Sequence, residues 1–404
     1  MTTGNAAATA FNLTDMTNLY KIKYGKRSEN AYNSANVLLG RQKKSYDFTG
    51  KKMEFPMELS FQGGVGAGAL PQANVAEVED VNFTAKKVYA RALYDRESIK
   101  AAASSEGAFF QNTAETTRKT VEAFNRFASI ILHGDGTGSL GTLAASSAVT
   151  DNGSGDYDVI VSDATWIAAN WTKRDFVNFG TGTDLFEITA VNKSTKTISV
   201  QRESGGSDTP ANGAVVYMQG SKDNVPQGLR GTVLASSGSL YGVPVADPYI
   251  SQQIDAGGAT ITVDLINQII LDVEEESGMT PKMALCSYVQ FRKLLNQLED
   301  QKRYNVEARA ANLKGHVSFR GVEVMTSQGP IGVFADRFVR DDLFYALNDE
   351  YIKAYHRPGF GWFDDDGTVF LRTADSDQYE ARYGGYYENY IAPPFHGAIT
   401  GLSI

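Results

Sequence analysis

The stretch Ser105-Glu-Gly-Ala-Phe-Phe-Gln-Asn-Thr-Ala-Glu-Thr-Thr-Arg-Lys-Thr-Val-Glu-Ala-Phe-Asn-Arg-Phe-Ala-Ser-Ile-Ile-Leu132 reads as one long helix. Ser104 and Ser105 offer side-chain oxygens to the orphan donors of a helix start. Glu106 and Glu115 place negative charge in its N-terminal half, where the helix dipole favours it. Val121, Phe124, Ala128 and Ile131 recur three or four residues apart and form one apolar stripe. No proline interrupts the run, and Gly134 and Gly136 end it. At 1.5 Å per residue such a helix is about 40 Å long. Globular helices average about 11–12 residues, so this one is a beam. Its polar segment Gln111 to Thr120 makes it a poor membrane span.

Working outward towards the N-terminus, residues 50–62 alternate strictly. Met53, Phe55, Met57, Leu59 and Phe61 share one face; Lys52, Glu54, Pro56, Glu58 and Ser60 share the other. Pro56 cannot donate a ladder hydrogen bond, which places the strand at an edge or leaves it outside a sheet centre. Gly63 to Pro71 follows as a glycine-rich tip, and then a second extended run from Glu77 to about Arg91. In that run Val81, Phe83, Ala85, Lys87, Tyr89 and Arg91 share one parity. The unit reads as a long two-stranded hairpin. An isolated hairpin is marginal in water, so it needs a surface to lie on, and a neighbouring subunit is the natural candidate. Residues 1–48 carry only scattered apolar residues (Phe11, Leu13, Leu19, Ile22, Tyr24). They read as an arm lying on another surface, with disorder as the alternative.

On the C-terminal side of the helix the texture becomes β-rich. Val159-Ile160-Val161, Glu187 to Val191, Thr197 to Val200 and Val215 to Met218 alternate with turn residues between Thr142 and Gly220. This spacing predicts a small antiparallel barrel or sandwich, inserted, because helical texture resumes after it. Thr262 caps a predicted helix with Val263, Ile266, Ile270 and Val273 on one face. Met283 to Cys286 reads as a buried strand, and Ser287 caps a helix bearing Phe291, Leu294, Leu295 and Leu298. Val317 to Met325 and Ile331 to Val339 read as strands or connectors. Asp342 to Leu347 and Tyr351 to Tyr355 read as a strand pair turned at Asn348-Asp349. Trp362 to Ile404 is extended and aromatic-rich.

Composition bounds the chemistry. The 404-residue chain is long enough for two or three domains. Its 42% hydrophobic and 21% charged residues fit a folded protein. Gly at 39, with 20 Tyr and 21 Phe, leans towards strands and turns. The formal charge of −9 argues against a basic nucleic-acid-binding face. The single cysteine, Cys286, excludes an intrachain disulfide and reads as a core thiol. No apolar run is long enough to span a membrane. The N-terminus lacks signal-peptide character, so residence in a cytoplasm-like compartment, or in a particle that leaves it, is expected.

No catalytic constellation holds together, so no enzyme, catalytic residue, cofactor or metal is expected. Gly64-Val65-Gly66-Ala67-Gly68 lacks the third glycine of a dinucleotide fingerprint and precedes a strand where a helix is needed. Gly134 to Gly141 contains no Gly-Lys-Ser/Thr. His133, His316, His356 and His396 lie far apart. Asp364-Asp365-Asp366-Gly367 looks like a calcium loop but lacks EF-hand spacing, and a β-turn explains it. Glu274-Glu275-Glu276 reads as a solvated helix face. Lys51, Lys52, Lys86 and Lys87 are candidates for charged inter-subunit contacts, or for protection of an exposed edge.

The order of these parts resembles the major capsid proteins of tailed bacteriophages, the HK97-type capsid fold, over about residues 10–404. The resemblance implies an α+β fold in six parts: an N-terminal arm (1–48), an E-loop hairpin (49–98), the spine helix of the P-domain (99–141), an inserted β-barrel-like domain (142–222), an A-domain (223–354) and a returning P-domain β segment (355–404). It implies self-assembly into pentamers and hexamers of an icosahedral head enclosing double-stranded DNA, assembled in the host cytoplasm and ending in the virion. Gly64, Gly66, Gly68 and Pro71 become E-loop tip contacts. Portal, possible decoration and separate scaffolding proteins are implied partners, because a fused scaffold of about a hundred residues has no room before the hairpin. The tip, Gln62 to Val75, has no lysine, so self-catalysed cross-linking is not expected. The runner-up is an encapsulin-like shell, which the insertion weighs against. From other classes come a β-rich carbohydrate-binding or adhesive protein using Tyr383 to Tyr390, and a metal-dependent hydrolase using Asp364 to Asp366, which lacks histidine partners.

Overall fold

The structure, a computed structural model, describes residues 36–48, 50–60, 77–95, 106–204, 206–300, 322–326, 329–364, 367–373 and 376–404. Helix α1 (Val37–Arg41) starts under a cap in which Asn36 accepts the Leu38 N–H. Strand β1 (Lys43–Ser45) leads to the hairpin strands β2 (Lys52–Ser60) and β3 (Glu77–Thr84), which pair antiparallel. Strand β4 (Lys86–Asp95) precedes the long helix α2 (Glu106–His133).

The second extended run is not one hairpin arm. It breaks at Ala85, and β4 pairs with the late strand β21 (Gln378–Ile391) over ten positions, from Asp95↔Gln378 to Lys86↔Tyr387. The break reverses the parity. Val81 and Phe83 are buried in β3, but Val88, Ala90, Ala92 and Tyr94 are buried in β4, which turns Lys87, Tyr89 and Arg91 outward. A one-residue irregularity exchanges the faces of a strand, and here it lets one run serve two sheets.

The sheet that β4 joins has the order β1-β19-β21-β20, with β19 at Ile352–Trp362 and β20 at Leu371–Arg372. Helix α2 lies on its inner face. Val121, Phe124, Ala128 and Ile131 share one core with Val88, Ala90, Ala92, Ala381, Tyr383 and Tyr387. The Phe124 ring meets Tyr383 and Phe360 edge-on, at centroid distances of 5.1 and 5.0 Å. The stripe therefore faces a sheet rather than a partner helix.

After α2 the chain builds seven strands: β5 (Ser139–Thr142), β6 (Val149–Gly153), β7 (Asp156–Ile160), β8 (Phe176–Phe179), β9 (Leu185–Asn192), β10 (Thr197–Ser204) and β11 (Val215–Met218). Their order is β5-β11-β8-β9-β10-β7-β6, and a bridge between Leu143 and Val161 joins β5 to β7 across the open side. Alternate residues such as Val159, Phe186, Ile188, Ile198, Val200 and Val216 fill the interior beside the stacked Trp166 and Trp171. Entry and exit of this barrel-like unit touch. A Cβ on Gly228 would stand 2.4 Å from the Gly134 carbonyl oxygen, so only glycine allows this crossing. Arg230 pairs with Asp135 at 2.8 Å beside it.

The return runs through α3 (Leu229–Val233), β12 (Ser239–Leu240) and β13 (Val243–Pro244) into a six-stranded sheet. Its order is β14-β22-β18-β15-β17-β16, from β14 (Gln252–Asp255), β15 (Met283–Cys286), β16 (Val322–Thr326), β17 (Gly329–Ala335), β18 (Phe344–Leu347) and β22 (Gly397–Thr400). Helices α4 (Val263–Ser277) and α5 (Tyr288–Asp300) flank β15 in sequence. Thr262 accepts the Leu265 N–H, Ser287 accepts the Gln290 N–H at 3.3 Å, and all of β15 is buried.

Two local pairings differ from the sequence reading. Strands β18 and the start of β19 are not partners: they lie in different sheets, joined by a 3-10 turn, Asp349–Tyr351, whose Asn348 side chain accepts the Glu350 N–H. The C-terminal segment likewise splits. Strand β21 returns to the helix-backed sheet, whereas β22 pairs with β14 and β18 in the six-stranded one. Strand β21 buries most of its residues and β22 three of four, which fits a strand covered on two faces but does not say in which sheet.

Candidate functional site

The hairpin is two strands thick. Met53, Phe55, Met57 and Leu59 point to one side and remain half-buried, while Lys52, Glu54, Pro56 and Glu58 on the other side are exposed. Its root sits in an aromatic socket. Phe83 has Phe48, Tyr241, Tyr355 and Tyr390 at ring-centroid distances of 6.2, 5.8, 5.3 and 6.1 Å. Each such pair adds about 0.5–1.5 kcal/mol beyond area burial.

The structure brings the four candidate lysines to this root, since Lys52 stands opposite Thr84, two residues before Lys86. Lys51 is exposed, and Lys52 pairs with Glu54. The Lys86 ammonium donates to the Asp223 carbonyl at 3.4 Å, and Lys87 lies over the Tyr386 ring at 5.7 Å. Gly64, Gly66, Gly68 and Pro71 lie outside the described residues.

The outer face of the helix-backed sheet was not legible as a surface, because its residues emerge only from the parity change at Ala85. Tyr89 and Leu93 are 52% and 51% exposed there. Between them Arg91 pairs with Glu380 at 2.6 Å, and Arg382 grips the same carboxylate. Burial resists the charge on Glu380, but hydrogen bonds from the two guanidiniums hold its carboxyl below the usual range.

The titratable groups are dispersed. His133 at the end of α2 faces Asp336 at 3.4 Å, both buried. Burial opposes the imidazolium, yet the Asp336 carboxylate raises the His133 pKa, and the Asp336 pKa is correspondingly lowered against its own burial. His356 stacks on Tyr387 and Tyr46, and burial pushes it down to about 3. Burial likewise pushes His396 down to about 3. His316 lies outside the described residues. The Cys286 thiol is pushed up to about 12, by burial first and by Asp336 second. A thiol held protonated is a poor nucleophile. Among the described residues no three His, Cys, Asp or Glu cluster as metal ligands. Gly367 donates its N–H to the Asp364 carbonyl at 2.8 Å in a left-handed conformation, closing a β-turn; Asp365 and Asp366 lie outside the described residues. No helix among the described residues is long and apolar enough to cross a membrane.

No protein-family model and no curated protein matches the chain. Among solved structures, a chain of the cyanophage A-1(L) capsid asymmetric unit aligns with a TM-score of 0.52 at 11% identity, covering 100% of this chain and 96% of that one. The capsid of cyanophage P-SCSP1u aligns at 0.43 and 7%, covering 92% and 89%. The holo-SrpI encapsulin complex of Synechococcus elongatus aligns at 0.43 and 8%, covering 99% and 93%. The first alignment spans both chains almost whole. The chain therefore has a phage-capsid fold, the α+β HK97-type architecture.

Proposed function

We propose that this chain is the major structural subunit of an icosahedral tailed-phage head, self-assembling into pentamers and hexamers around double-stranded DNA. The observation that carries this reading is the end-to-end likeness to a chain of the cyanophage A-1(L) capsid asymmetric unit. In this reading α2 and its sheet form the P-domain and the six-stranded sheet forms the A-domain. The barrel-like unit is the inserted domain. Residues 1–48 form the arm, and the hairpin with its 63–71 tip is the E-loop. The half-buried face of Met53, Phe55, Met57 and Leu59 supports it, since a neighbouring copy finishes burial that one subunit leaves incomplete. The basic and aromatic sheet face of Lys87, Tyr89, Arg91 and Arg382 complements exposed Glu58 and Asp80 on a neighbour's hairpin. Lys51, Lys52 and the tip glycines contribute at the same seam. A net charge of −9 suits a wall that does not grip packaged DNA. Assembly takes place in the host cytoplasm, with separate scaffolding and portal proteins.

Sedimentation and negative-stain microscopy of the purified chain test this. Megadalton closed shells or ring capsomers are expected; a monomer at every salt and crowding condition overturns it. Shells filled with protein rather than DNA in infected cells assign it instead to compartment shells. Deleting Gly63 to Pro71 should leave the circular dichroism and melting of the subunit intact and stop shell formation.

A further inference from the structure

Strand β4 leaves β21 at Lys86, which stands opposite Tyr387. The next residue of β21, Glu388, is 4% exposed. From there on, two remote segments cover the strand edge. The Gln227 N–H donates to Glu388 Oε1 at 2.5 Å, and Asn389 Nδ2 donates to the Gln227 carbonyl at 2.8 Å. The Tyr241 hydroxyl donates to the Asn389 carbonyl at 2.8 Å, while the Tyr241 carbonyl accepts the Asn82 N–H of the hairpin at 2.7 Å. Gln42 donates to Asn389 Oδ1 at 2.9 Å. Glu388 thus lies where the hairpin root, the chain returning from the barrel and the helix-backed sheet meet.

Around this carboxyl stand Lys86 from β4, Tyr355 opposite it on β19, and Tyr241 from the β12–β13 turn. The Lys86 ammonium is engaged by the Asp223 carbonyl. Among the described residues no cation lies within 4 Å of Glu388. A buried carboxylate without a counter-ion is costly, whereas a buried carboxylic acid that accepts backbone N–H groups, here those of Gln227 and Asn389, is not. Burial raises the Glu388 pKa to about 8, against the lowering effects of the Gln227 N–H, Lys86 and the Asn389 N–H.

We propose that Glu388 is a proton-operated latch at the root of the hairpin. Protonated, its carboxyl seals the seam between the Gln227 segment, β4 and β21. Deprotonated, it draws in water or the Lys86 ammonium, opens the seam and frees the bend at Ala85, so that the hairpin changes angle. The latch belongs to the single subunit and does not depend on the shell reading.

Hydrogen–deuterium exchange of the full chain between pH 6 and 9.5, corrected for intrinsic rates, tests it. Protection of peptides covering 77–95 and 223–230 should fall about tenfold per pH unit as pH rises from 6 towards the Glu388 pKa and level off above it, as expected for opening linked to one proton. Barrel peptides 185–204 should stay flat, and Glu388→Gln should hold protection across the range. Flat protection in the wild type, or a Glu388→Gln profile that follows it, overturns the proposal. Lys86→Met gives an independent reading, because removing the cation should move the levelling-off point to higher pH. An unmoved or lowered levelling-off point also overturns it.

Discussion

Helix α2 meets its sheet through side chains that solvent barely reaches, while the hairpin keeps an entire apolar row half-exposed. Phe124 is 0% exposed, and its partners Tyr383 and Tyr387 are sealed with it. Met53, Phe55, Met57 and Leu59 are of similar apolar character but only partly covered. Both regions carry one regular apolar row, and they differ in what lies opposite. The helix stripe finds a complete sheet built by its own chain. Among the described residues, the hairpin packs on its own chain around Phe83 and Phe55, and its apolar row stays half-buried. Burial completed within one chain stabilises the fold, and burial left incomplete is available to another chain.

Four outcomes break or sharpen this contrast. The largest belongs to the helix side. Phe124→Asp should abolish soluble, cooperatively folding protein, and Phe124→Ala should cost about 3–5 kcal/mol in urea denaturation. A well-folded Phe124→Asp subunit would remove the distinction altogether.

Acid comes next. His356 and His396 are buried neutral with folded pKa values of about 3, below the unfolded value near 6.5. Between those values the unfolded chain binds more protons, so stability falls as pH drops from 6.5 towards 3, by on the order of a few kcal/mol for the pair. Melting temperatures at pH 7, 5 and 4 check this, and His396→Gln should flatten part of the slope. His356 lies within β19, and His396 precedes β22 and accepts the Asn348 N–H at the crossing between the sheets, so the loss should appear in both sheets and spare the hairpin.

Phe83→Ala acts on the hairpin root. It should be read mainly as faster proteolysis within 50–84, with a change in the global melt smaller than that of Phe124→Ala. A loss as large as that of Phe124→Ala would show that the root belongs to the main core. The smallest effect is expected on the exposed hairpin face. Lys51→Ala and Lys52→Ala together should alter subunit stability by less than about 0.5 kcal/mol, with any consequence confined to assembly kinetics measured by light scattering.

Much of this was legible beforehand. The stripe of α2, the alternation of β2, the Thr262 cap and the apolar run of β15 are local patterns, and local geometry enforces them. The parity change at Ala85 was not, because nothing in Thr84-Ala85-Lys86 marks a break; the break exists because Gln378 to Tyr387 arrives to pair with β4. Strand β18 and the start of β19 looked like a hairpin because both are apolar and a turn separates them. Asn348 and the flanking sheets route them apart. Glu388 resembled any strand glutamate until Gln227 and Tyr241 closed over it.

The order of amino acids alone determined the elements: a long amphipathic helix, an alternating edge strand, a turn-rich β insert and capped helices around a buried strand. Periods of 3.6 and 2 and the chemistry of caps act over a few residues, so they survive without context. Only the tertiary structure decided the partners: which sheet receives β4, β19 and β22, how Leu143 and Val161 close the barrel-like unit, and which carboxyl loses its water. Strand edges are satisfied by whichever backbone reaches them, and here that backbone comes from about three hundred residues away, as Lys86 and Tyr387 do.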